Sequence, residues 1–123
     1  MPVKLPLAAV AFLLTVAAAA PAADPSYAKE VRPFLVKYCV ECHTAKQAKA
    51  GYDFDTFAGL TKVGKSGATV VSGDAAKSLL TKVLNGSGKV MPPKKYPWQP
   101  EKDEVAVVLA WLRAGGKDDT GKE

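Results

Sequence analysis

The chain has 123 residues, with 17 Lys and Arg against 12 Asp and Glu and a net charge of +5. That length holds one domain with a small core. The positive charge is scattered, with no basic block or basic–aromatic stripe, so the sequence does not support nucleic-acid binding. Two cysteines and one histidine fall short of the four Cys/His ligands of a structural zinc site.

Residues 1–22 read as a signal peptide. Lys4 supplies the positive start, Leu5 to Ala20 is apolar apart from Pro6 and Thr15, and Ala20-Pro21-Ala22 or Pro21-Ala22-Ala23 ends it with small residues. The apolar run is shorter than the roughly 20 residues that span a bilayer. Cleavage is therefore expected rather than a retained anchor, leaving no transmembrane segment and a periplasmic or otherwise exported protein. Once Lys4 is removed, sixteen Lys and Arg face twelve acids, a charge of +4.

The folded domain is expected over residues 24–117, with 118–123 as a polar tail. Asp24 to Glu30 reads as a polar lead-in. A first helix is expected from about Arg32 to Cys42, with Val31, Phe34, Leu35, Tyr38, Cys39 and Cys42 on one stripe. Pro33 falls in its first turn, where a missing N–H costs little.

That helix carries the most informative segment, Cys39-Val40-Glu41-Cys42-His43. Cys-x-x-Cys-His reads as the attachment site of a c-type haem. Residues i, i+3 and i+4 share a helix face, so two thiols and an imidazole can meet one macrocycle. Cys39 and Cys42 are expected to bind the porphyrin and His43 the iron. A disulfide or a redox pair is the alternative. It leaves His43 unexplained, and no βαβ pattern surrounds the cysteines.

Thr44 to Gly51 reads as a loop. Tyr52, Phe54 and Phe57 form an aromatic group, read as core and compatible with packing on a haem edge. Asp55 is placed as the cap of a short turn ending at Leu60. Asp53 and Asp55 read as turn or capping residues rather than catalytic acids. Residues 62–73 read as loop, with Thr69-Val70-Val71 a candidate extended piece. Asp74 is expected to cap a second helix, about Ala75 to Leu84, with Leu79, Leu80, Val83 and Leu84 as its buried face. The last helix is expected from about Pro100 to Ala114, ended by Gly115-Gly116, with Val105, Val108, Leu109 and Leu112 on one face and Trp111 beside it. The result is an all-α domain of about three main helices with Gly/Pro-rich loops. Its first and last helices should pack on each other beside the haem.

With one histidine, bis-histidine ligation within the chain is impossible. Met91 is the one methionine left after processing, and it sits between Gly86/Gly88 and Pro92-Pro93. Prolines fix φ and favour an extended chain, so Met91 is the expected sixth ligand. A thioether there favours ferrous iron. A core role for Met91 is the alternative, with Lys94, Lys95 or water as ligand. Tyr96 and Trp98 follow the loop. Their O–H and N–H are candidate haem-propionate donors, or the pair is a lid with its polar tips in water.

These residues resemble the small class I cytochromes c, and in finer pattern the planctomycete-type cytochrome c domain. The matching pieces are Val31-Arg32-Pro33-Phe34-Leu35, Cys39-x-x-Cys42-His43, Gly51-Tyr52-Asp53-Phe54-Asp55, Gly64-Lys65-Ser66-Gly67, Ser72-Gly73-Asp74 through Leu80, Met91-Pro92-Pro93 and Trp111 to Gly115. Ala75 departs from a proline common in that family. Gln99-Pro100 departs from its usual Ser or Thr cap. The resemblance implies a cytochrome c fold with one covalent haem c, His/Met ligation and electron transfer. In that family the domain is often joined to larger modules; here it stands alone, which implies a diffusible, monomeric carrier. Its modest basic excess suits weak electrostatic docking to redox partner proteins. The rivals are a haem-based peroxidase or gas-sensing domain with an open sixth position, and a haem subunit of a larger redox complex. No acid/base constellation favours an enzyme.

Overall fold

The computed structural model describes residues 23–121, together with 1–3, 11 and 15–17. Most of the expected signal peptide and the last two residues of the expected tail lie outside the described residues. The domain is mainly helical: α1 (Arg32–Tyr38), α2 (Phe57–Leu60), α3 (Leu79–Asn85) and α4 (Lys102–Arg113), with a 3₁₀ turn at Lys49–Gly51. A two-stranded antiparallel hairpin, β1 (Val63–Gly64) and β2 (Gly67–Ala68), interrupts it and pairs Val63 with Ala68 and Gly64 with Gly67. Among the described residues no helix is long and apolar enough to cross a membrane.

The expected polar lead-in is folded. Tyr27–Val31 forms a π-turn that runs directly into α1. The Ser26 hydroxyl accepts from Lys29 N at 3.1 Å, and Ser26 N donates to Glu30 at 2.6 Å. The wider turn carries the helix past Pro33, which cannot donate and would break a tighter α-turn. Its purpose in the packing is Tyr27, 1% exposed. That ring stacks edge-on against Phe57 at 4.9 Å and tilted against Trp111 at 5.7 Å. These contacts come from three distant segments, which local patterning does not register.

α4 follows its expectation closely, beginning after Glu101 rather than at Pro100. Glu101 and Glu104 form a reciprocal capping box that satisfies free N–H groups at the helix start. Val108, Trp111 and Leu112 are buried, and the Trp111 indole N–H donates to Lys117 O at 3.0 Å. α4 packs on the π-turn rather than along α1, which it meets through the Glu104 side chain.

Three local expectations are corrected. Thr56, not Asp55, caps α2, its hydroxyl accepting from Gly59 N at 3.0 Å. The second helix starts at Leu79. Asp74 caps only a turn, through Lys77 N at 3.1 Å. The chain then breaks at Ser78, whose buried hydroxyl accepts from Val71 N at 2.8 Å and ties the 69–71 strip to the helix start. α1 ends at Tyr38, although the turn that follows stays helix-like.

The Tyr38 hydroxyl donates to Glu104 at 2.5 Å, joined by Lys37 Nζ at 3.0 Å and Glu101 N at 2.9 Å. These donors, the Tyr38 hydroxyl foremost, hold the Glu104 carboxyl down at about 2. Its folded value lies below the ordinary 4.5, so the unfolded chain takes up the proton first as the pH falls. The stabilisation is complete above about pH 4.5 and is lost between there and about 2. Denaturation midpoints followed from pH 5 to pH 2 should drop in the wild type. In Glu104→Gln they should start lower and drop less.

Candidate haem site

After Tyr38 the chain winds one more turn. Cys39 O accepts from Cys42 N at 3.2 Å and from His43 N at 3.1 Å. Cys39, Cys42 and His43 are therefore spaced as on a helix face. All three line a cavity of about 430 Å³, within the roughly 300–1,000 Å³ usual for ligand sites. Its far wall is α3, through Leu79, Leu80, Val83 and Leu84. Met91, Pro92 and Pro93 line it from the loop that follows. The helix face expected to be core is half cavity wall: Leu80 is buried, while Leu79, Val83 and Leu84 are only partly covered by protein.

The two thiols are free. Burial pushes the Cys39 thiol up to about 12, with Cys42 adding to the shift, so Cys39 stays protonated in its apolar setting. Burial also draws His43 below its usual range, against the backbone carbonyls of Tyr52 and Lys49. A neutral imidazole is the ligating form. Neither carbonyl completes a hydrogen bond with Nδ1, which is buried without a partner among the described residues.

Two rings flank the imidazole. Phe54 lies tilted at 5.1 Å and Tyr52 edge-on at 6.2 Å between ring centroids, and Phe54 N donates to His43 O at 2.7 Å. The expected aromatic group is thus divided: Tyr52 and Phe54 serve the cavity, while Phe57 joins the Tyr27–Trp111 cluster. Asp53 is a turn residue, accepting from Asp55 N at 3.0 Å.

The Met91 loop is held at both ends. Met91 N donates to Val83 O at 3.2 Å, and the Gln99 amide donates to Pro93 O and Tyr96 O, each at 2.9 Å. The chain bends at Met91 and Pro92 rather than running extended. Tyr96 lines the cavity, but its hydroxyl donates to Glu41, which removes it as a free propionate donor. Trp98 is 64% exposed and stands off the cavity wall. Lys94 and Lys95 do not line it either; the lysines that do are Lys49 and Lys89, which the sequence did not mark. Thr69 and Ser66 were likewise missed, and nothing in their local pattern signals a site.

A small, mainly helical domain that turns Cys-x-x-Cys-His into an apolar cavity is a c-type cytochrome domain. The model of the family described as Planctomycete cytochrome C matches residues 39–95, from Cys39 through the Met91 loop, and over this segment the chain is similar to that family. No curated protein and no solved structure matches the chain. The family implies a covalent haem, and the residues present suit one. The cavity is large and almost wholly apolar, and it brings together two thiols, a neutral imidazole and a thioether, donors that suit haem iron and its attachment.

Gly64 is a sensitive point of this site. A Cβ placed there would stand 2.3 Å from the Tyr52 ring. Gly64→Ala should lower the denaturation midpoint by an amount equivalent to about 1–3 kcal/mol, the usual cost of overpacking. An unchanged urea midpoint would show that the hairpin yields freely.

Proposed function

We propose that this protein is an exported one-haem electron carrier, with His43 and Met91 as the residues that would bind the iron. The observation that carries the reading is the cavity itself: Cys39, Cys42, His43 and Met91 come from two separate segments and line one apolar space. Cys39 and Cys42 would hold the haem through thioethers, and His43 and Met91 would supply the nitrogen and sulfur donors to its iron. When bound, haem supplies a one-electron iron centre.

The chain's own part is to hold, orient and exclude water. Leu79, Leu80, Val83 and Leu84 wall the cavity and lower its dielectric, which opposes extra charge on the oxidised centre. The thioether works in the same direction, since methionine ligation raises the potential. Lys49 and Lys89 line the cavity, and Glu41 is the one acid among the described residues that line it. With the net charge of +4 left after signal removal, this supports weak, salt-sensitive docking to an acidic redox partner. Glu41 is engaged by the Tyr96 hydroxyl, and Asp53 is held in a turn, which favours a carrier over an enzyme.

Two experiments test the reading. Denatured, acid–acetone-extracted protein should keep its haem stain on a gel, and Cys39→Ser with Cys42→Ser should lose it. Colour lost from the wild type under that extraction overturns covalent attachment.

Met91→Ala should keep the haem attached and lose the methionine-to-iron charge-transfer band. Its potential should fall, and it should bind carbon monoxide or cyanide more readily. An unchanged spectrum and potential would make Met91 a core residue and return the open-site reading.

A further inference from the structure

The hairpin β1–β2 has two residues per strand, far below what is stable alone. Something else must order it. Lys65 N donates to Ala50 O at 3.1 Å. The larger constraint is Tyr52, whose hydroxyl donates to Gly67 O at 3.0 Å and accepts from Ser66 N at 2.8 Å. Both partners are backbone groups at the hairpin tip. The Gly64 backbone lies so close to the ring that no side chain fits between them. The hairpin is thus wrapped around the Tyr52 ring and holds it by edge and by hydroxyl.

That ring stands edge-on to His43, and Phe54, two residues on in the extended stretch, closes on the imidazole from its own angle. Residues i and i+2 of an extended chain point the same way, which is how one short segment delivers both rings to one histidine. A metal-bound imidazole is normally oriented by a hydrogen bond from its second nitrogen. His43 Nδ1 completes no hydrogen bond among the described residues, and although the backbone carbonyls of Tyr52 and Lys49 face the ring, its plane is left chiefly to packing.

We propose that Tyr52, clamped by the 63–68 hairpin, is a positioning residue that together with Phe54 fixes the plane of the His43 imidazole. This rests on His43 being an iron ligand. Rotating the imidazole would drive it into one of two rings, and Tyr52 cannot give way while Ser66 and Gly67 hold its hydroxyl. The hairpin then acts on the iron without touching it.

The test uses full-length, haem-loaded protein. Tyr52→Phe keeps the ring and removes both tip hydrogen bonds; Tyr52→Leu removes the ring; Leu112→Ala, in the buried face of α4 away from the cavity wall, serves as a destabilised control. Haem staining should persist in all three. The low-spin electron paramagnetic resonance g-values and the paramagnetically shifted haem-methyl proton resonances should move in Tyr52→Leu. They should move in the same direction, by less, in Tyr52→Phe, with loss of hydrogen-exchange protection at Ser66 N–H. Leu112→Ala should lower the denaturation midpoint and leave those signatures in place.

Tyr52 variants that lose stability yet keep the wild-type g-values and methyl pattern would overturn the proposal. Should Tyr52→Leu fail to fold, Tyr52→Phe decides alone. A wild type without covalent low-spin haem would overturn the parent reading and this inference together, and it would show before any variant is made.

Discussion

The constraint on which the rest depends is an apolar face with too little protein to cover it. α3 presents Leu79, Val83 and Leu84 toward the attachment turn, and between them lies space rather than side chains. A domain of this size buries a modest fraction of its surface. Leaving such a face to water removes a large share of the available hydrophobic stabilisation. A flat, apolar macrocycle tied to Cys39 and Cys42 would fill that gap. Cofactor and core would then be one thing, and thioethers would keep the filling from leaving.

Two aromatic groups divide the labour. Tyr27, Phe57 and Trp111 join the π-turn, α2 and α4 on one side, and they need no cofactor to pack. Tyr52 and Phe54 surround His43 on the other. The first group supplies a rigid frame. The second confines the His43 imidazole between two rings, and with His43 as an iron ligand that would let the iron change oxidation state with little rearrangement.

The loop bearing Met91 shows how fixed geometry is reached without regular structure. Its internal hydrogen bonds run through the Gln99 amide, its near end is tied to α3 through Val83, and Tyr96 reaches Glu41 inside the attachment segment. The loop is thereby linked to both walls of the cavity. A long loop held at several points loses little freedom when a ligand bond forms, and this favours a thioether, which binds iron only weakly.

Chemistry with a strict local spacing was readable directly. Cys39, Cys42 and His43 are close in sequence, and the helical turn dictates their shared face. The apolar period of α4 and its glycine stop needed only neighbouring residues, so its limits were expected within two positions. Tyr27, the break at Ser78 and the hairpin at 63–68 were not foreseen, because each is decided by contacts beyond its own segment; the cap by Thr56 is local, to Gly59 N, and was assigned one residue too early. Phe57 opposite Trp111 buries Tyr27, and the strip at 69–71 captures Ser78. The sequence by itself determined which groups could hold a haem. Tertiary structure alone decided that Met91 shares a cavity with them, that the Tyr96 hydroxyl is taken by Glu41, and that the rings of Tyr52 and Phe54 stand beside His43. Those facts depend on distances between segments that only packing brings together.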